Sequence, residues 1–294
     1  MLTKKIETVI ISTAFLVFWI FVASICYASD RLEIKIWTDK SEYLIREPVF
    51  VHYEVKNITD STIALNFRGL KEYFVIKDKD DRTFRNRLTS FYAVLNPNSL
   101  KPNASYHDRE EISARYGMME LGEYSCYIQL PPGPFSPSAE TKSNLIKIKV
   151  NVPKGEEKKA LDLFLEAETL KWSPDKDPEK RALSFFKYLE LVDKFPTSVY
   201  APKALRSAWG VYIYSKDLKE RRKIIPVCKK LIESYPNSYY FVLAFTEIVD
   251  TYKILKDKAG AIKTMQELIK KHPDTKISER AEYWLEKIEK WEFK

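Results

Sequence analysis

Leu191-Val192-Asp193-Lys194-Phe195-Pro196-Thr197-Ser198 returns as Leu231-Ile232-Glu233-Ser234-Tyr235-Pro236-Asn237-Ser238 and again as Leu268-Ile269-Lys270-Lys271-His272-Pro273-Asp274-Thr275. The prolines stand at 196, 236 and 273, so the spacings are 40 and then 37 residues. A period of this size marks an array of helix pairs, each burying its apolar face only against its neighbours. The phrase itself reads mechanically. Apolar residues end one helix, an aromatic ring or His packs at its exit, proline stops it, and Ser or Thr caps the next.

Between the three phrases, apolar residues recur at helical spacing. Ala182, Phe185, Phe186, Leu189 and Val192 mark one face; Ala204, Ala208, Val211 and Ala244, Ile248, Tyr252 mark the first helices of later pairs. The pattern predicts three helix pairs and a terminal helix over Glu279–Trp291. Pro226 falls inside one helical pattern and should kink or restart it, in keeping with the longer first spacing.

Upstream the period is two. Leu32-Glu33-Ile34-Lys35-Ile36-Trp37 and Val49-Phe50-Val51-His52-Tyr53-Glu54-Val55 alternate as half-buried strands do. Further strands are expected at 62–66, 73–76, 83–95, 105–112, 123–130 and 145–152, separated by turn clusters as in an antiparallel β-sandwich, with no helical period. Val152-Pro153-Lys154-Gly155 is where the period changes. The expected organisation is therefore a β-sandwich over 29–152, a linker at 153–155 and a helical repeat domain over 156–294.

At the N-terminus, Lys4 and Lys5 precede the apolar run Val9–Val22 and the compact residues Cys26-Tyr27-Ala28. This is the plan of a secretory signal, with cleavage expected after Ala28. An uncleaved membrane anchor is the competing reading, and a lipoprotein reading through Cys26 is disfavoured by bulky Ile25 before it. All three place the rest of the chain outside the cytoplasm, in the periplasm or cell envelope. Cleavage would leave Cys126 and Cys228, which could form one bridge between the domains or serve as two small buried hydrophobes.

Composition excludes much. The 294 residues are 45% apolar and 31% charged, with 7 Gly and 15 Pro, which rules out fibrous and wholly disordered classes. Three histidines and three cysteines leave little material for a metal or His-based catalytic centre. No nucleophile elbow, His-Glu-x-x-His pair, phosphate-binding loop, dinucleotide fingerprint or Cys-x-x-Cys occurs. An enzyme is not expected, nor is any cofactor or metal. Asp78-Lys79-Asp80-Asp81 groups carboxylates but lacks the glycine and distal Glu of a calcium loop and reads as a hairpin tip. The glycosylation-like triplets at Asn57 and Asn103 read as turns. From Pro153 onward 29 Lys and Arg face 23 Asp and Glu, against 18 and 17 in residues 30–152. The excess reads as solvated helix faces or as the complement of an acidic partner; export removes nucleic acid from consideration.

Two resemblances follow from these residues. Thr38–Asn57, TDKSEYLIREPVFVHYEVKN, with the later Leu121-Gly122-Glu123-Tyr124-Ser125-Cys126, resembles bacterial immunoglobulin-like domains of the macroglobulin or secreted-inhibitor type, the latter stretch matching the tyrosine-corner region. No cysteine lies in the Val49–Val55 strand, so Cys126 lacks an inter-sheet partner. The last 140 or so residues resemble tetratricopeptide repeats, especially those of the outer-membrane assembly lipoprotein and the periplasmic Tol-Pal coordinator, in which an aromatic-Pro-x-Ser phrase opens each repeat. The repeats exceed the standard length, and Trp209 stands where that family usually has a small residue.

The tetratricopeptide resemblance implies an all-α helical solenoid and a docking role without catalysis. Aligned through Tyr212 and Tyr252, its groove positions fall on Lys203, Arg206 and Tyr214 in one repeat and on Thr246, Asp250 and Lys253 in the next. These six are the candidate partner-binding residues for a protein or peptide in the envelope. The membrane is expected to matter only through the N-terminal segment. The alternative places function in the β-sandwich, as a module binding a protease or an envelope polymer; a hydrolase with an unrecognised site is the third reading.

Overall fold

The computed structural model describes residues 32–65, 72–84, 98–116, 120–131, 140–172 and 177–291. The expected signal segment, residues 85–95 of one expected strand and most of the loop from Pro131 to Ser138 lie outside them. The chain divides between Asn151 and Val152 into two compact units, one of strands and one of helices.

In the first unit β1 (Leu32–Thr38) pairs antiparallel with β3 (Phe50–Asn57), which pairs antiparallel with β8 (Ser105–Glu111). The register sets Leu32 opposite Asn57, Ile34 opposite Val55 and Ile36 opposite Tyr53, so the apolar half of each strand lands on the same face. A second sheet has the order β2 (Glu42–Leu44), β11 (Ile146–Asn151), β9 (Gly122–Leu130), β5 (Phe74–Asp78), β6 (Thr83–Phe84). Its β2–β11 contact is parallel and the others are antiparallel, and β10 (Thr141–Lys142) adds to β9. A separate ladder joins β4 (Ile63–Leu65) to β7 (Asn98–Leu100).

Both sheets feed one core: Leu32, Ile34, Ile36, Val51, Tyr53 and Val55 from the first, Phe74, Ile76, Tyr124, Cys126, Ile128, Ile148 and Val150 from the second. The free edge of β1 is satisfied by a side chain. Asn144 accepts from the Ile36 N–H at 2.8 Å and donates to the Ile36 carbonyl at 2.9 Å, imitating a strand partner. The expectation of no helix here needs correction: α1 (Ile112–Tyr116) follows β8 and buries Ile112 and Tyr116 one turn apart. Five residues are too few to show a period, and tertiary anchoring holds the turn, with the Ile112 N–H bonded to the Val49 carbonyl and Ser113 Oγ accepting from the Val49 N–H.

Side chains in the turns have found partners. Asn57 is fully buried and its amide donates to the carbonyls of Ser61 and Leu100 while accepting from the N–H and hydroxyl of Thr59. Asn103 sits in a turn at φ 59°. At the β5–β6 hairpin Asp78 accepts from the N–H groups of Asp80 and Arg82 and from Arg82 Nε at 2.6 Å. Desolvation raises its pKa, and the bonds from Arg82 and Asp80 outweigh it and leave the carboxyl below its ordinary range.

The second unit begins with α2 (Gly155–Lys171), opened by Gly155 at φ 56°, and α3 (Pro178–Lys194). Then come α4 (Ala201–Tyr212), the short α5 (Leu218–Arg222), α6 (Ile224–Ser234), α7 (Tyr240–Ile254), α8 (Lys258–Lys271) and α9 (Lys276–Glu289). Each helix packs on the next in order, with α5 and α6 acting as one broken helix, and the first helices α2, α4 and α7 also touch in sequence.

The repeated phrase takes one conformation three times. Phe195, Tyr235 and His272 end their helices at φ/ψ of −133/61°, −134/56° and −131/59°, each donating its N–H to the Leu four residues back. Ser198 and Ser238 then accept from the N–H groups of Tyr200 and Tyr240, and Thr275 caps α9 in a reciprocal box with Ser278. The break between α5 and α6 falls at Lys223, three residues before Pro226. Proline has no N–H for the Arg222 carbonyl, so the helix restarts and Pro226 occupies a first turn, where it is tolerated.

One face assignment is corrected. Phe185 is buried but Phe186 is 59% exposed, and the buried stripe of α3 runs through Ser184, Phe185, Tyr188, Leu191 and Val192. Ser184 rotates the helix that way, because its hydroxyl donates to the Ala167 carbonyl of α2 at 2.8 Å in a buried contact. Cys126 and Cys228 are both free and buried, each inside its own unit.

Candidate partner-binding face of the helical repeats

The candidate residues lie on α4 and α7, whose sequences align with an offset of 40. Arg206 and Thr246 occupy equivalent positions, as do Gly210 and Asp250, and Tyr214 and Ile254. Ala204, Ala208, Ala244 and Ile248 are fully buried, which fixes the rotation of both helices and so the set of residues left outside.

Arg206 lies half-buried with its guanidinium 4.9 Å from the ring centroid of Trp209. Trp209 is 1% exposed, so the large side chain that stands where the family usually has a small residue is packed in the core. Lys203 holds its ammonium 5.8 Å from the Phe164 ring of α2. Asp250 and Lys253 are exposed, and Lys253 stands 5.1 Å from the Trp291 ring. The Thr246 hydroxyl is occupied within α7, donating to the Val242 carbonyl at 3.2 Å. Tyr214 lies past the end of α4 in a turn and is 91% exposed, so it does not share a helix face with Lys203 and Arg206.

Two of the six are brought together through a residue that the sequence did not single out. Glu247 on α7 has its pKa raised, first by burial; Arg221 pulls it down, Asp250 pushes it up, and Arg206 pulls it down again. Arg206 from α4 and Asp250 from α7 therefore act on the same half-buried carboxyl. Lys203, Tyr214, Thr246 and Lys253 have no such connection to it.

Lys171 was also missed. It lies at the last turn of α2, where lysine is ordinary, yet its ammonium is largely buried beside Tyr188 and reaches the Ser207 carbonyl at 3.5 Å. Burial lowers its pKa, Glu168 opposes that shift, and the charge of Arg206 adds to it. Glu168 in turn accepts from Tyr188 and from Ser207. Across the three first helices the result is a strip of mixed charge, with Lys171, Lys203 and Arg206 beside Glu168 on α2 and α4, and Glu247 and Asp250 with Lys253 on α7, where Arg221 of α5 pairs with Glu247 at 3.9 Å. Such a strip can orient an extended ligand that carries both charges. Among the described residues no group of three or more His, Cys, Asp or Glu is placed to hold a metal ion, and no helix is long and apolar enough to cross a membrane.

A tetratricopeptide-repeat family model matches residues 251–275, a window that runs from the last turn of α7 through α8 to the third copy of the phrase. No curated protein matches the chain. Among solved structures, a β-glucosidase from Listeria innocua in complex with gluconolactone aligns at 13% identity and TM-score 0.22, over 41% of this chain and 16% of that one. A Northeast Structural Genomics Consortium target, SoR45, aligns at 12% identity and TM-score 0.22, over 40% of this chain and 85% of the other. The chain thus spans about a sixth of the glucosidase's length. The chain carries a tetratricopeptide-repeat match at residues 251–275 within its helical unit, and its N-terminal unit is built of β-strands.

Proposed function

We propose that this protein is an exported, non-catalytic adaptor of the cell envelope, released by cleavage after Ala28, whose repeats hold a protein or peptide segment along α2, α4 and α7. The observation that carries the reading is the strip of mixed charge: buried aromatic and apolar side chains fix the helices, and Lys203, Arg206 and Asp250 remain half-buried or exposed on the adjacent first helices α4 and α7. The tetratricopeptide match over 251–275 supports a protein-binding role.

In the same reading the helical unit is a solenoid of the outer-membrane assembly lipoprotein and Tol-Pal coordinator type, and the first unit is an immunoglobulin-like sandwich. Two features support the sandwich: the orders β1-β3-β8 and β2-β11-β9-β5-β6 around one core, and the Tyr124 hydroxyl donating at 2.9 Å to the Glu120 carbonyl, the bond that a tyrosine corner makes two residues before a cysteine.

The test is crosslinking in cells of the tagged full-length chain, of Arg206→Glu and of a form ending at residue 152. A defined envelope protein captured by the full-length chain and lost in both variants is the expected result. Capture by the truncated form would move the function to the β unit, and capture unaffected by Arg206→Glu would remove the strip as the contact.

A further inference from the structure

The three first helices run parallel. At their starts Ser198, just before α4, donates to Glu157 of α2, and the Tyr235 hydroxyl, just before α7, donates to the Pro196 carbonyl. Further along, Lys171 in the last turn of α2 reaches Ser207 of α4, and Arg222 of α5, the helix after α4, reaches Asp257 just past α7. Their C-terminal ends therefore lie along one edge of the helical unit, and each carries a large apolar side chain in water. Trp172 is 72% exposed, Tyr214 91% and Ile254 47%, with Leu218 beside Tyr214 at 49%. Trp172 is held by Glu168, to which its ring N–H donates at 3.1 Å, whereas Tyr214 and Ile254, equivalent at the offset of 40, are left in water with Leu218.

The same edge is cationic. An open cleft of about 460 Å³ between α5 and the α7–α8 turn is lined by Leu218, Lys219, Arg222, Lys223 and Leu255. The nearby carboxylates Asp217, Glu220 and Asp257 each accept hydrogen bonds from the fold, and Asp217 is exposed. Asp217 accepts from the Lys219 N–H, Glu220 from Arg181 and Ser215, and Asp257 from the Gly260 N–H and Arg222. Lys216, Lys219, Lys223 and Lys256 are exposed and are in no ion pair among the described residues, and Lys223 lies 4.8 Å from the Tyr212 ring centroid.

We infer that this edge docks on an anionic phospholipid surface, with Tyr214, Leu218 and Ile254 entering the headgroup region and the lysines meeting phosphates. Three features favour a bilayer over an acidic peptide. Tyr214 stands in a turn and Leu218 and Ile254 at helix ends, and of the three only Leu218 borders the open cleft, a geometry that suits interfacial insertion. The unpaired cations are lysines, point charges suited to a diffuse negative surface; the one arginine of the cleft, whose fork suits a carboxylate, is already held by Asp257. Aromatic and aliphatic residues interspersed with lysine are the composition of membrane-interface anchors. This goes beyond the adaptor reading, and it departs from the expectation that the membrane matters only through the N-terminal segment.

The test uses the chain from Ser29 to Lys294, which contains every residue of both described cores, and sedimentation with vesicles of phosphatidylcholine alone or mixed with phosphatidylglycerol. Binding is expected only to the anionic vesicles and should fall as salt rises. K216E/K219E/K223E/K256E should lose about tenfold or more in apparent affinity, as should Tyr214→Ala combined with Leu218→Ala and Ile254→Ala, with unchanged thermal melting in both. K159E/K263E/K270E/K287E makes the same change in net charge at exposed sites elsewhere and should bind like the parent. The inference is overturned by absence of binding to anionic vesicles, by equal loss in the control, or by capture of an acidic peptide at this edge without vesicle binding. Because Arg206→Glu should leave vesicle binding unchanged while abolishing partner capture, failure of the docking edge and failure of the adaptor strip are distinguishable.

Discussion

Ser198 and Ser238 occupy the same place in two copies of one phrase, and the structure predicts that losing them has unequal consequences. Each accepts from the N–H two residues on, at 3.2 Å and 3.1 Å, and losing such a cap costs about 1 kcal/mol. Ser198 also donates to the Glu157 carboxylate at 2.7 Å and is 6% exposed. A hydrogen bond to a charged group contributes about 1.5–3 kcal/mol, and its loss leaves Glu157 with only a 3.3 Å contact from the Val199 N–H. Ser198→Ala should therefore destabilise the helical unit by about 3 kcal/mol and Ser238→Ala by about 1 kcal/mol. Urea unfolding followed by helical circular dichroism, with the slope unchanged, measures both. A double-mutant cycle with Glu157→Ala should return a coupling of about 2 kcal/mol for Ser198 and none for Ser238. Equal costs for the two serines, or a vanishing coupling, would refute the reasoning, since it would mean that the phrase acts only locally.

Asn57→Ala removes four hydrogen bonds of a fully buried side chain, one of them itself buried, and should lower the stability of the β unit by about 3 kcal/mol; calorimetry should show that shift in one unit's transition and not the other's. Glu247 has a folded-state pKa above its unfolded value, so the native chain binds its proton more tightly, and its contribution to stability is lost as pH rises through the window above 4.5. Glu247→Gln should flatten that part of the urea-midpoint profile, and an unchanged slope there would contradict the burial assigned to the group. Burial pushes the Cys126 thiol up to about 12 and raises Cys228 as well, so neither should react with an aromatic disulfide reagent at neutral pH until the chain unfolds, when both should titrate.

The helix pairs were legible because their determinants are local. A proline that stops a helix and a serine that caps the next act within a few residues, and three copies set the register of Ala204, Ala208, Ala244 and Ile248 before any contact is known. The alternating strands were legible for the same reason. Short elements were not: β2, β10 and α1 have five residues or fewer, and neighbours decide them, as the Val49 carbonyl does for α1. Phe186 was misplaced because Ser184, polar in sequence, is buried by its bond to α2.

For the candidate site, the tetratricopeptide resemblance assigned Arg206 and Asp250 to groove positions of two successive repeats. It could not show that Glu247 lies between them, that Lys171 is buried beside Arg206, or that Tyr214 falls past its helix end. Those facts depend on the crossing of α2, α4 and α7, where residues about 40 positions apart share one dielectric environment. Period and capping are properties of neighbouring residues, so the chain determined them by itself. Burial of a charge is a property of what packs around it, and only the tertiary structure decided which carboxylate and which ammonium would lose water.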